Sequence, residues 1–367
     1  MQECTRKEVY TLTVNMTLPP QELARKSSGL TLQFPDRWAL PHPVHVVGTG
    51  SCVPDRIVSN AEVGGPAGVD DDWIRRKTGI VTRRWADESV ATSDLAAEAS
   101  RRALEDAGIS AKNLALVVVA TSTPDHSQPP TAAIVQNTIG AENAAAYDLN
   151  AVCSGFEFAL NSVIQMVSQL NAYALVVGAE VYSRIINPED RKTVILFGDG
   201  AGAVVVGPAV SVSPGKTILA GKMCTYGDLS DMISVPMGGT RIPFDQNVDE
   251  SLRYFHMDGR GVREFVISNL PNVIQDFLSE VGVDPRSIRH FIPHQANGVM
   301  LQELADALGY PDMEQHLILE KYANTGAASI PMTLDDVTRN KALQTGDLVL
   351  MAGFGGGMSV GLTLLRW

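Results

Sequence analysis

The chain has 367 residues, enough to bury a large core as two domains or as one duplicated unit. It is 45% hydrophobic and 19% charged, an ordinary globular composition, and no apolar stretch approaches the length of a membrane span. A net charge of −12 with no basic run of five or more residues argues against general nucleic-acid binding. The same charge would repel an acidic carrier protein unless a local basic patch compensates.

Residues 1–43 read as an addition to the main body. Glu8 to Leu18 alternates as an exposed strand does, and Pro19-Pro20 ends it. The first thirty residues lack a signal-peptide apolar region, so a cytoplasmic, reduced protein is the expectation. Cys4, Cys52, Cys153 and Cys224 are scattered without zinc-type spacing, and all but Cys153 read as apolar filler or surface thiols. The body begins with the strand Val44–Gly48.

From there helical patterns alternate with short apolar runs, the signature of an α/β fold. Strands are expected at Leu114–Ala120, Ala174–Gly178 and Ala203–Gly207, then at Ile288–Pro293, Leu348–Ala352 and Val360–Leu365. The two sets are related. An offset of 174 lays Gly108 on Gly282 and Leu114 on Ile288, and an offset of 175 lays Gly178 on Gly353. An offset of 171 lays Cys153-Ser154-Gly155 on Asn324-Thr325-Gly326. Three matches in order point to internal duplication. The halves run 44–210, with Cys153, and 211–367, with His294 and Asn324, and they face one cleft.

Cys153 opens a helix whose Phe156, Ala159, Leu160, Val163, Ile164 and Val167 follow a buried helical stripe. A thiol at that N-terminus meets the positive end of the helix dipole, which is expected to lower its pKa. His294, in His294-Gln295-Ala296-Asn297, ends the strand Ile288–Pro293, where open α/β folds place their chemistry. His294 and Asn324 each offer N–H donors, and two neutral donors on one carbonyl oxygen stabilise an enolate. His290, four residues before His294 on a strand, does not make a metal pair with it. Gly353-Phe354-Gly355-Gly356-Gly357 reads either as a tight turn between strands or as a loop aiming a main-chain N–H at a thioester oxygen. Phe197-Gly198-Asp199-Gly200-Ala201-Gly202 looks like a dinucleotide fingerprint, but a strand follows it where a helix should, so it reads as a turn.

With these residues in place the chain resembles the β-ketoacyl-acyl-carrier-protein synthase III family of the thiolase-like superfamily. The resemblance covers nearly all of 44–367, through DDWIRRKTGI (71–80), CSGFEFAL (153–160), FGDGAGA (197–203), IPHQAN (292–297), NTGAASIP (324–331) and GFGGG (353–357). It implies a five-layered αβαβα fold of two duplicated halves, and a homodimer. It implies that Cys153 takes an acyl group from acyl-CoA. His294 and Asn324 then hold a malonyl thioester, on CoA or on acyl carrier protein, through decarboxylation. The N–H groups of Cys153 and Gly356 form the oxyanion hole. Trp73, Lys77 and Arg191 take CoA, Asn297 lines the pantetheine tunnel, and Gln128 lines the partner subunit's acyl pocket. CoA thioesters are substrates, and no metal, redox cofactor, nucleic acid or membrane partner is implied.

Three positions depart from the family pattern. Lys77 stands where an arginine is usual, a point charge without the planar fork. Gly298 to Gly309 carries no Lys or Arg, whereas the family usually docks its carrier protein there, so Arg260 and Arg263 or another surface would have to serve. Ser127-Gln128-Pro129-Pro130 lacks the bulky aromatic common near Gln128, which hints at a primer other than acetyl. Acyl transfer without decarboxylation stays open as an alternative, as does a non-catalytic subunit. A papain-like hydrolase uses the same three residue types, but the duplicated layout disfavours it.

Overall fold

The computed structural model describes residues 40–209, 216–245, 247–310 and 312–367, and the backbone of 12–15. Most of the 1–43 extension, including Cys4, lies outside the described residues. Ten strands build the centre. Those of the first half are β1 (His45–Cys52), β2 (Leu114–Ala120), β3 (Ala145–Leu149), β4 (Tyr173–Glu180) and β5 (Gly200–Gly207). Those of the second are β6 (Thr217–Thr225), β7 (Ile288–Pro293), β8 (Glu314–Gln315), β9 (Leu348–Gly355) and β10 (Ser359–Arg366). The first half is ordered β3-β2-β4-β5-β1 and the second β8-β7-β9-β10-β6. In each, three parallel strands are followed by two antiparallel ones. The two sheets meet at one residue pair, His45 and Thr217. The strand Leu12–Asn15 pairs antiparallel with β6, Leu12 opposite Met223, so a strand does form inside the alternating segment Glu8–Leu18.

The helices repeat in the same order. Helices α1 (Asp71–Thr78) and α2 (Thr92–Ala107) precede β2; α3 (Thr131–Thr138) and α4 (Gly155–Leu170) lie between β2 and β4. Then α5 (Gly259–Glu280) precedes β7, while α6 (Gly298–Leu308) and α7 (Ser329–Arg339) lie between β7 and β9. So α2, α3 and α4 answer to α5, α6 and α7. The halves change over between Gly207 and Thr217, and the boundary at 210 falls among residues outside those described.

Side-chain alternation makes the layers. On β4, Ala174 and Val176 face the middle of the molecule with α4 and α7, while Leu175 and Val177 face α2 and α3. On β9, Val349 and Met351 face the same middle layer, while Leu348 and Leu350 meet α5 and α6. Strands buried on both faces must be apolar throughout, which is why they stand out as continuous runs. The result is α2–α3, sheet, α4–α7, sheet, α5–α6: five layers with the two central helices sandwiched.

Helix starts and glycine caps fix the true offset between halves. Gly108 and Gly282 both hold the left-handed conformation after their helices. α4 begins at Gly155 and α7 at Ser329, each after a short 3-10 turn, which is again an offset of 174. The 171 overlay of Cys153 on Asn324 is therefore corrected. Cys153 answers to Ala327, and Asn324 answers to Asn150. Both triplets end in glycine at a helix start, and that shared turn chemistry suggested the wrong register.

Candidate active site

A cavity of about 420 Å³ opens where the two halves meet. Cys153, His294 and Asn324 line it together with Trp73, Lys77, Arg191 and Asn297. Gln128 is exposed on the segment before α3 and does not line this cavity. Gly356 lies next to it, beside the lining residue Gly355.

The Cys153 backbone is set by strain. Val152, immediately before it, is held at φ 49, a left-handed value that a β-branched residue avoids. Ala323, immediately before Asn324, is held at φ 59. Both residues that face the cavity from a central-helix start are thus preceded by a strained non-glycine. The sequence carries no glycine there to signal it. Ser154 Oγ donates to Ala151 O at 2.8 Å and lies 2.7 Å from Ser359 Oγ, which donates to Gly356 O at 2.9 Å. The Cys153 turn and the glycine loop are therefore held to one another. Of that loop only Gly357 needs a positive φ; Gly355 is required by close approach, since a Cβ there would sit 2.7 Å from Cys153 Cβ.

The expected lowering of the Cys153 thiol pKa is overturned. Burial pushes it up to about 12, and the Glu180 carboxylate adds to this. The Tyr182 hydroxyl and the local backbone N–H favour thiolate without offsetting burial. A helix terminus contributes about 1 kcal/mol at an exposed site, whereas removing a charge from water costs several. Glu180 sits at the end of β4 and accepts from Ser122 Oγ at 2.9 Å and Thr123 Oγ1 at 2.5 Å. Burial raises it to about 7. Ser122 Oγ also lies 3.0 Å from the Tyr182 hydroxyl. Sequence reasoning missed Glu180, Ser122 and Tyr182. A lone glutamate in the run Val176-Val177-Gly178-Ala179-Glu180 was the available signal.

His294 is buried against the edge of Phe354, ring centroids 5.3 Å apart. Its backbone N–H donates to Ala352 O at 2.8 Å, and its ring Nδ1 lies 2.8 Å from Ser329 Oγ. Burial lowers its pKa to about 3, so the imidazole is neutral. Asn324 is pinned through its backbone to Leu196 and Gly198, and its Oδ1 accepts from Gly326 N at 2.9 Å. With Oδ1 engaged, the side chain offers the cavity its Nδ2 donors.

At the mouth, Asp70 caps α1 by accepting from Trp73 N at 2.7 Å, and Asn297 Nδ2 donates to Lys77 O at 3.0 Å. Asn297 also caps α6, accepting from Val299 N at 2.9 Å and Met300 N at 3.2 Å. It thereby locks the two helices that frame the entrance. Lys192 joins Lys77 and Arg191 there, a cation that sequence reasoning passed over. Arg263 lines the mouth too, but it pairs with Glu303 of α6 at 2.7 Å.

The duplicated five-layered fold and the buried Cys–His–Asn cavity define a thiolase-like enzyme. Residues 147–227 match the family description 3-oxoacyl-[acyl-carrier-protein] synthase III, and residues 278–367 match its C-terminal part. The chain is 56% identical over 323 residues to acetoacetyl CoA synthase NphT7 of Streptomyces sp. (strain CL190), covering 88% of this chain and 98% of that one. It is 39% identical to the β-ketoacyl-[acyl-carrier-protein] synthase III of Caldanaerobacter subterraneus subsp. tengcongensis, covering 88% and 97%. Among solved structures, the synthase III of Aquifex aeolicus VF5 superposes with a TM-score of 0.80 at 34% identity, covering 88% and 100%. The priming β-ketosynthase of the R1128 polyketide pathway does so with 0.80 at 33%, covering 92% and 98%.

The chain belongs to the β-ketoacyl-acyl-carrier-protein synthase III family. It is an acyltransferase that condenses an acyl-CoA with a malonyl thioester, releasing CO2 and giving a β-ketoacyl product. No helix among the described residues is long and apolar enough to cross a membrane.

Proposed function

We propose that this chain takes its malonyl unit from CoA rather than from a carrier protein, so that its product is a β-ketoacyl-CoA. The observation that carries this is the charge around the mouth. α6 has no Lys or Arg, and its Glu303 neutralises Arg263, which leaves exposed Arg260 as the one remaining cation of the two expected to serve a carrier protein. Lys77, Arg191 and Lys192 stay available to CoA phosphates, beside Trp73 for stacking. The 56% identical relative bears the name acetoacetyl CoA synthase, in keeping with this reading.

The division of labour follows from neutral side chains. Cys153 rests as a thiol; its sulfur attacks the acyl-CoA carbonyl, the C–S bond to CoA breaks, and the thiol proton leaves with CoA. The malonyl thioester then loses CO2, and the C–C bonding pair becomes an enolate. Asn324 Nδ2–H and His294 hold the enolate oxygen. Ser329 Oγ, 2.8 Å from Nδ1, and the Gly326 backbone hold the neutral ring in place for that contact. The enolate carbon attacks the acyl-Cys153 carbonyl, and the Cys153 and Gly356 N–H groups receive the oxyanion. Collapse releases the Cys153 thiolate, which takes up one proton, in balance with the proton the reaction consumes. A thiol pKa of about 12 suits that final uptake.

The protein functions as a homodimer in this reading. Among the described residues β3 is a free sheet edge with half-exposed Ala146, Tyr147 and Leu149, and exposed Met166 and Leu170 lie on the neighbouring α4. Pairing of two β3 edges would bring Gln128 toward the partner's cavity. Sedimentation equilibrium checks this, and a monomer at micromolar concentration would sink it. The acceptor is tested with a panel of acyl-CoA primers, acetyl-CoA among them, and equal concentrations of radiolabelled malonyl-CoA or malonyl-carrier protein. Faster CO2 release from malonyl-CoA is expected. Preference for the carrier refutes the reading, and acyl transfer without CO2 would favour the non-decarboxylating alternative.

A further inference from the structure

The second half carries a cluster of metal-ligating side chains outside the cavity. His290 lies on β7 and Glu314 beside it in register on β8. His316 follows two residues later, its N–H bonded to Phe291 O at 2.9 Å. One donor atom from each of the three lies within 4.8 Å of the other two. His290 Nδ1 is 3.0 Å from His316 Nε2 and 3.7 Å from Glu314 Oε2. Donors about 2.0–2.1 Å from a tetrahedral zinc ion stand roughly 3.3 Å apart, so the two His290 spacings bracket what is needed, and Glu314, whose Oε1 lies 3.9 Å from the far nitrogen Nδ1 of His316, must turn to close the third side. Both imidazoles are buried, while the Glu314 side chain is 64% exposed and free to turn inward.

A second observation orients the pair. His290 Nε2 lies 3.0 Å from Asp347 Oδ2, and that carboxylate is itself fixed by Gln344 N at 2.7 Å. A carboxylate holding the far nitrogen keeps the proton on Nε2 and aims the Nδ1 lone pair at His316, the outer-sphere arrangement that metal-bound histidines use. Asp336 adds its negative charge near His316. Three carboxylates around two imidazoles favour a divalent cation, and two nitrogen donors favour zinc over magnesium.

We propose that His290, His316 and Glu314 form a Zn²⁺ site, oriented by Asp347, that staples the short edge strand β8 to β7. The fourth position is left to water. Four residues of strand, roughly 13 Å, separate it from His294, which places the site outside the condensation chemistry. Gln295 Nε2 donates to His316 O at 3.3 Å, and its Oε1 accepts from Ile318 N at 2.9 Å. The stapled segment is thus the one that leads to Asn324. The sequence pointed to no metal because His290 and His316 lie 26 positions apart.

The test is titration of chelator-stripped protein with Zn²⁺ alone, by calorimetry and by thermal unfolding. Wild type is expected to bind one Zn²⁺ per chain at micromolar concentration or tighter, with a raised Tm. Zinc could also meet Cys153, so the deciding comparison is Glu314→Gln, an exposed change remote from the cavity. It should weaken the site at least about tenfold, as should Asp347→Asn. His316→Ala should abolish it. Wild type that binds no Zn²⁺, or Glu314→Gln that binds as wild type does, overturns the proposal.

Discussion

The two halves share a topology but divide the chemistry, and their contact shows how. Each central helix begins against the strand end of the other half. Cys153 of the first meets Gly355 at the end of β9, while Gly326 of the second meets Glu180 at the end of β4 and Tyr182 just past it. Where one side carries a functional group, the other carries glycine. A Cβ on Gly355 would lie 2.7 Å from Cys153 Cβ, and one on Gly326, also at φ +55, would lie 2.4 Å from the Tyr182 ring. By the offset of 174 Gly326 answers to Val152, both with positive φ, so the duplicated scaffold holds two related sockets one residue apart in register, one given to a nucleophile and one to a buried polar cluster beside it.

The largest effects should separate the roles of the halves. Cys153→Ser should lower acyl loading about 10⁴-fold or more, read as the acyl adduct in intact-protein mass spectrometry. His294→Ala and Asn324→Ala should each load normally yet release CO2 from malonyl-CoA about 10²–10³-fold more slowly. If the second-half variants lose both steps equally, the division between halves is broken.

Next come the two sockets themselves. Gly355→Ala and Gly326→Ala should each destabilise by about 1–3 kcal/mol in urea unfolding. Gly355→Ala, which displaces Cys153, should also slow loading about 10²-fold. Gly326→Ala, which presses on Glu180 and Tyr182, should affect the condensation step more through Asn324, whose Oδ1 is held by Gly326 N. The same loading defect in both variants would count against distinct sockets.

Much of this was legible in the chain, for physical reasons. β2, β4 and β9 are buried on both faces, so they had to be apolar runs, β7 is buried except at Arg289, and α4 had to show a buried stripe. Gly108 and Gly282 mark left-handed caps that only glycine adopts freely. β3 and β8 escaped because edge strands are short and half exposed and carry no such run, and the buried β6 escaped because Lys222 and its terminal threonines interrupt its apolar stretch. Val152 and Ala323 gave no sign of their strain, since positive φ is written in sequence only where glycine or asparagine holds it. The thiol's direction was misread because helix position is visible in sequence and desolvation is not. His290 and His316 are brought together by strand pairing that no local pattern encodes.

A smaller effect concerns two carboxyls near the sockets. Burial raises Glu157, on α4, to about 8, and Glu180 to about 7. A carboxyl whose folded pKa exceeds its unfolded value stabilises the fold while protonated. That contribution is full below the unfolded pKa and is lost as pH rises through the folded one. Stability should fall by a few kcal/mol from about pH 5 to about pH 9 on this account. Glu157→Gln, which keeps the shape and the Thr363 contact, should flatten the upper part of that decline. Unfolding midpoints with the same slope in both proteins would contradict it.

The smallest effect tests the outer helices, where the halves diverge again: α3 lies by the free edge β3, and α6 frames the mouth. Glu303→Lys breaks the Arg263 pair and reverses one charge on α6. A surface pair contributes only about 0.2–1 kcal/mol, so the expected gain is up to about fivefold in kcat/KM for malonyl-carrier protein. The gain should exceed any change with malonyl-CoA, because CoA phosphates already find Lys77, Arg191 and Lys192 at the entrance. It should fade in about 0.5 M salt, where charges a few ångströms apart are screened. An unchanged ratio of the two substrates would mean that the acidity of α6 does not select the acceptor, and the choice would then have to lie inside the cavity.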